Sequence, residues 1–278
     1  MLNIGVRTHD FAKGSIEEIA NIISEKGFGS IQLALKKSIE GFEGKKGEIT
    51  AGFANNIRKK LDKKDIRIAV LGCYINMGHK GLEMGKLSDY FKEHIKYARD
   101  FGCTIIGTET GSLNGDYSFN EGNHSEEALE HFIENLKPLV EEAEKFGVIV
   151  GIEAVTKHIV NTPERMKYVL DKINSNNLQV IFDPVNLLDE NNYENQEKIV
   201  DKSFELFGDK IAIIHSKDFV IESGKIKTVY TGKGLFNYKH LIKKLKIEKP
   251  NIDILLENAI PEKSLEIVEF LNGLYKEV

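Results

Sequence analysis

What this 278-residue chain has little of narrows its reading first. It carries only two cysteines, Cys73 and Cys103, both in apolar settings and without C-x-x-C spacing. Buried free thiols in a reducing compartment are therefore expected rather than a disulfide. No apolar run approaches the roughly 18 residues of a membrane span. The N-terminus, MLNIGVRTHD, passes into a strand pattern with no basic region leading an apolar segment, so no signal peptide is expected and the cytoplasm is the expected location. Positive charge is not in excess either. The formal net charge is -5, and lysines alternate with acids in stretches such as EEAEK and KKLDKKD. That is the pattern of solvated helix faces, and it argues against nucleic-acid or acidic-membrane partners. At 41% hydrophobic and 29% charged residues the composition is that of an ordinary globular protein, and no linker or composition shift divides it.

What is present is a repeated alternation of short β-branched runs with segments of helical period. Leu2 to Arg7 reads as a strand, and Ile16, Ile19, Ala20, Ile22 and Ile23 follow at helical spacing. SIQLAL (30–35) precedes a Gly-rich loop and a helix from Thr50 to Asp62. IRIAVLG (66–72) precedes a helix from Leu87 to Phe101, and CTIIGTE (103–109) precedes a loop to Asn123 and a long helix from Ser125 to Phe146. The fifth strand is VIVGIEAV (148–155), followed by a helix opening at Thr162-Pro163, where Thr is an N-cap and Pro takes the first helical position. Strands at 178–182, 211–214 and 252–256 lead to helices at 195–207, 238–245 and 264–275, with a charged excursion at 219–234. Eight strand-helix units of roughly 35 residues point to a single-domain α/β fold, a (β/α)8 TIM barrel over residues 1–278. An open doubly wound sheet would place a Gly-rich phosphate loop after the first strand. VRTHDF contains none.

The fifth strand is apolar throughout, as a strand buried on both faces should be, yet it ends on a carboxylate, Glu153. The same happens in QVIFDP at Asp183, in KIAIIH at His215 and in DILLE at Glu257. In a barrel these C-terminal strand ends share one mouth. Three carboxylates meeting there would repel and protonate unless a cation neutralised them. Oxygen donors with one imidazole suit one divalent ion: Mn²⁺ first, with Mg²⁺, Co²⁺ or Zn²⁺ as alternatives. The competing reading of each acid alone is a helix cap or a lysine partner.

The motifs IEAVTKH, FDPVN, IHSKD, TGKG and ILLEN, in that order, make the chain resemble the xylose-isomerase-like barrels, which include sugar-phosphate isomerases, ketose 3-epimerases and endonuclease IV. The resemblance implies that Glu153, Asp183, His215 and Glu257 bind the metal and that Glu153 and Glu257 act as base and acid on opposite faces of an open-chain sugar. It thus implies a metal-dependent isomerase or epimerase of a small carbohydrate or sugar phosphate, working by proton abstraction through an enediolate. Relatives often pair, so a homo-oligomer is an open expectation. An endonuclease IV-like hydrolase is one alternative. It would need further histidines, and Asn186 stands where a His would complete D-x-x-H. A polyol dehydratase begins with the same proton abstraction and stays open. A sugar-binding barrel without chemistry would usually show a gap in the quartet.

Further contacts to substrate are expected from His9 and Glu109 at the ends of strands one and four, and from His158, Asn186, Lys217 and Asp218. Asp218 has holding a loop as its alternative role. TGKG (231–234) lies where barrels often bind phosphate, though a plain turn is the favoured reading. Tyr74, Asn76 and His79 are placed near the pocket and Tyr117 in a loop over it. His94, His124, His131 and His240 fall on helices or their caps and are expected to be solvated.

Overall fold

The computed structural model describes residues 1–79 and 84–278. Its ten strands are β1 (Asn3–Arg7), β2 (Ser30–Leu33), β3 (Arg67–Gly72), β4 (Ile105–Glu109), β5 (Ile149–Glu153), β6 (Leu178–Phe182), β7 (Ile211–Ser216), β8 (Asp218–Glu222), β9 (Lys225–Val229) and β10 (Asp253–Leu256). The strands β1 to β7 and β10 are parallel and close in the order β1-β10-β7-β6-β5-β4-β3-β2. This is a TIM barrel of one domain. The remaining two strands form an antiparallel hairpin from Asp218 to Val229, so the charged excursion after strand seven is a built element and not a plain loop.

Around the barrel lie the helices α1 (Thr8–Phe11), α2 (Ile16–Glu25), α3 (Leu35–Ser38), α4 (Ala51–Asp62), α5 (Met84–Tyr97), α6 (Glu126–Phe146), α7 (Pro163–Ile173), α8 (Gln196–Phe207), α9 (Tyr238–Glu248) and α10 (Ser264–Glu277). Local chemistry sets their starts. Ser15 and Glu18 form a reciprocal capping box at α2. Thr50, Ser125 and Thr162 each accept a backbone N–H at the start of α4, α6 and α7. Such caps are worth roughly 1 kcal/mol each. The apolar stripe of α2, Ile16, Ile19, Ala20 and Ile23, is buried in the same core cluster as Val6 of β1 and Ile31 of β2, and each large side chain so buried contributes about 1.5–3 kcal/mol. Two expectations need correction here. The helix before Phe101 starts at Met84, three residues earlier than its period suggested, and ends at Tyr97. His94 on it is fully buried, not solvated, because it lies on the face packed with Phe91, Ile95 and Ala98 against the barrel.

The barrel interior explains where the chemistry sits. Val70, Ile181, Ile213 and Leu255 pack together at its centre, and Gly107 and Gly151 leave room for them: a Cβ on Gly107 would stand 2.6 Å from Val70 and 2.7 Å from Ile181. Side chains two residues further along a strand point the same way. One layer above that apolar plug therefore come Glu109, Glu153, Asp183, His215 and Glu257.

Candidate metal and catalytic site

Glu153 closes β5, Asp183 and Glu257 directly follow β6 and β10, and His215 lies in β7. All four are buried, and one ligand atom from each falls within 4.8 Å of the others. Nδ1 of His215 stands 3.2 Å from a Glu153 oxygen and 3.4 Å from a Glu257 oxygen, yet it makes no aligned hydrogen bond, and Oδ2 of Asp183 has only the ammonium of Lys217 near it, at 3.0 Å. Buried polar atoms normally have partners. A convergent set of three carboxylates and one imidazole nitrogen that lacks one fits a divalent cation with O and N ligands.

The surrounding groups hold these side chains in place. Nε2 of His215 faces Oε1 of Gln32 at 2.7 Å, which leaves Nδ1 directed at the carboxylates. The amide of Asn186 donates to Oε1 of Glu153 at 2.7 Å. Oδ1 of Asp183 accepts the backbone N–H groups of Val185 and Asn186. Arg7, gripped by Asp10 through two nitrogens, lies 3.0 Å from Glu257 Oε2. Burial alone would raise the pKa of Glu257, but Lys217, His215 and Arg7 outweigh it and hold the carboxyl well below its usual range. Asp183 goes the other way, pushed up to about 6 by burial even though Lys217 opposes the shift.

Towards the mouth the groups become neutral. Burial and the nearby Arg7 charge hold His9 down to about 4, and burial does the same to His158. Nδ1 of both rings and the hydroxyl of Tyr117 are buried without hydrogen-bond partners. Tyr117 is held at φ 63°, a left-handed conformation unusual for a bulky residue and typical of functional loops. Glu109, side by side with Glu153 across β4 and β5, is pushed up to about 7 by burial and by the Glu153 charge. The loops that carry these groups are tied together by Arg165 of α7, which donates to the carbonyls of Ile159, His124 and Ser125.

Six further residues expected as substrate contacts thus fall into three sets. His9, Glu109 and His158 line the mouth. Asn186 and Lys217 touch the quartet itself, Lys217 through Asp183 and Glu257. Asp218 has both oxygens occupied by the backbone N–H groups of Phe219, Phe236 and Gly232, which is the loop-holding arrangement. The same contact makes TGKG a turn, with Lys233 paired to Glu266 on α10. Tyr74 accepts from Gln32, while Asn76 braces the loop after β4 through Ser112 and Asn114. Arg7 and Gln32 were not singled out from the sequence. Each is a polar residue in or at the end of an otherwise apolar strand, the same signal that marked the quartet.

The sequence matches the model of the xylose isomerase-like TIM barrel family over residues 20–274. The chain belongs to that family. Among solved structures it is similar to a D-tagatose 3-epimerase-like protein (20% identity, 99% of each chain, TM-score 0.75). It is also similar to a probable 3-DHS dehydratase involved in petrobactin synthesis from Bacillus anthracis (15% identity, 99% of each chain, TM-score 0.73). A third is the IOLI protein solved with a binding zinc atom (17% identity, 99% of this chain and 96% of that one, TM-score 0.69). At these identities the likeness establishes the shared barrel. No curated protein matches the sequence. Among the described residues no helix is long and apolar enough to cross a membrane.

Proposed function

We propose that this barrel is a metal-dependent isomerase or epimerase of a small carbohydrate or sugar phosphate. The observation that carries the reading is the buried quartet of Glu153, Asp183, His215 and Glu257 at the strand ends, with one ligand atom of each within 4.8 Å of the others and Nδ1 of His215 lacking an aligned hydrogen bond. A divalent cation, when bound, supplies Lewis-acid polarisation of a carbonyl and its neighbouring hydroxyl. Glu153 and Glu257 flank His215 from different strands, so each reaches one side of a molecule lying over the quartet, one taking the proton beside the carbonyl and the other returning it. Asn186 holds Oε1 of Glu153 and leaves Oε2, the oxygen that faces His215, for this work. His9, His158 and Tyr117 offer neutral donors and acceptors of the kind that recognise hydroxyl groups. A polyol dehydration would begin with the same proton abstraction, and the products distinguish the outcomes.

The test is solvent deuterium exchange into a panel of ketoses, aldoses and their phosphates, with metal content measured in parallel. Wild-type protein should place label at the carbon beside the carbonyl. Glu153→Gln and Glu257→Gln should lose about 10²–10⁴-fold of that rate, even where metal is saturating. Asp183→Asn should act through metal binding, and excess metal should restore part of its activity. A fully metal-loaded Glu variant that exchanges label as fast as wild type would reduce that residue to a ligand and remove the two-carboxylate mechanism.

A further inference from the structure

Lys217 follows β7 directly and is as buried as the quartet it touches, with 4% of its surface exposed. Its Nζ lies 3.0 Å from Oδ2 of Asp183 and 2.8 Å from Oε1 of Glu257. Both acids belong to the quartet. The backbone that carries the lysine is anchored: its carbonyl accepts the buried hydroxyl of Tyr238 at 2.6 Å, and the next residue is held by three backbone N–H groups. Arg7 also reaches Glu257, but it does not bridge to Asp183, and its charge is shared with Asp10 through two hydrogen bonds.

The geometry points to Lys217 as a tethered counter-cation of the metal site: its ammonium holds Asp183 and Glu257 together before any metal arrives, and it sets the charge of the site to match a divalent ion. With His215 neutral as a ligand, three carboxylates less one ammonium leave two negative charges for the cation to cancel. Without the ammonium the site would carry a third, and the two acids would push apart whenever the metal was absent. With it, the metal-free barrel keeps its site assembled, at the cost of repulsion between ammonium and incoming metal. Coulomb forces between charges a few ångströms apart in a protein interior are strong enough for both effects to be measurable.

This inference rests on the quartet being a metal site, as proposed above, and its test separates the two. Chelator-treated full-length wild type, Lys217→Met and Lys217→Arg are titrated with MnCl₂ by calorimetry, and their melting temperatures are taken in EDTA and in excess Mn²⁺. Lys217→Met keeps the length of the side chain and removes its charge. It should bind Mn²⁺ about tenfold more tightly or better, melt lower than wild type in EDTA, and recover most of that loss in Mn²⁺. Lys217→Arg, which keeps the charge, should melt in EDTA closer to wild type than Lys217→Met does. Mn²⁺ binding by Lys217→Met that is no tighter than wild type, or an unchanged melting temperature in EDTA, overturns the role. If Lys217→Met is recovered only as insoluble protein, refolding decides: the role requires folding in Mn²⁺ and not in EDTA, and equal yields overturn it. Wild type that binds no Mn²⁺, Mg²⁺, Co²⁺ or Zn²⁺ would refute the metal-site reading, while the melting comparison in EDTA would still judge the lysine.

Discussion

Loading the quartet with a divalent cation should expel a proton from His215, and affinity should climb steeply with pH. Nδ1 is the nitrogen directed at the carboxylates, because Nε2 is engaged by Gln32. Burial in the barrel pushes the imidazole pKa down, yet the charges of Glu153 and then Glu257 prevail and hold it up at about 10. An imidazolium has no lone pair to give a metal. At pH 7 the cation must therefore displace a proton held about three units above the ambient pH, which costs about 4 kcal/mol of binding free energy at roughly 1.4 kcal/mol per unit. The sign is that of competition: every unit of pH below that value favours the proton. Apparent affinity should rise about tenfold per unit between pH 6.5 and about 9. Asp183, raised by burial to about 6, adds a second proton below that pH and steepens the loss. Calorimetric Mn²⁺ titrations at pH 6.5, 7.5 and 8.5, each in two buffers of different ionisation enthalpy, give affinity and proton release together. About one proton per metal is expected at pH 7.5. Affinity flat across these three values with no proton released would refute the reasoning, since His215 would then be neutral beforehand or not a ligand.

Replacing Gln32 with Leu removes the partner of His215 Nε2 and should weaken metal binding by about 10–100-fold; an unchanged calorimetric affinity would show that the ring is oriented by packing alone. Burial holds His94 neutral down to about 4, while in the unfolded chain it titrates near 6.5, so the unfolded state binds the extra proton and stability falls as pH drops from about 6.5 towards 4. Between pH 7.5 and 5 this one group should cost about 2 kcal/mol, and urea unfolding of a His94→Gln variant should show a loss smaller by that amount; equal losses would refute it. Asp218→Ala strands three backbone N–H groups around the hairpin and should destabilise the protein by about 2–4 kcal/mol, visible as a lower denaturant midpoint with an unchanged slope.

The eight strands and their ends were legible because a strand buried on both faces is apolar throughout, so a single ionisable residue stands out against it. Glu153, Asp183, His215 and Glu257 were visible for that reason, and the two-residue period of β5, β6, β7 and β10 then carries them above Gly151, Ile181, Ile213 and Leu255. Partners were harder to read than positions. Gln32 and Arg7 act on the quartet from β2 and β1, more than 180 residues away along the chain, and no local pattern tells which distant side chain a strand end will meet. Lys217 had the same difficulty: in IHSKD it is legible as a substrate contact beside a ligand, and nothing there shows that it pairs with Asp183 and Glu257. His94 was misjudged because a helix with charged neighbours on both sides, KEHIK, conceals one inward position among outward ones.

Arg165 directs its guanidinium to main-chain carbonyls of two separate loops, the one following β4 and the one following β5, and Asn123 adds a third tie to Lys157. Carbonyl oxygens carry no titratable charge and are not replaced when side chains change, so the ties that Arg165 makes to them do not loosen with pH. The two loops must then move as one plate. Tyr117 and His158 ride on that plate together, their rings 5.8 Å apart. Amide exchange in 111–124 and 155–160 should accordingly share one opening rate, and cutting the seam with Arg165→Leu should split it into two.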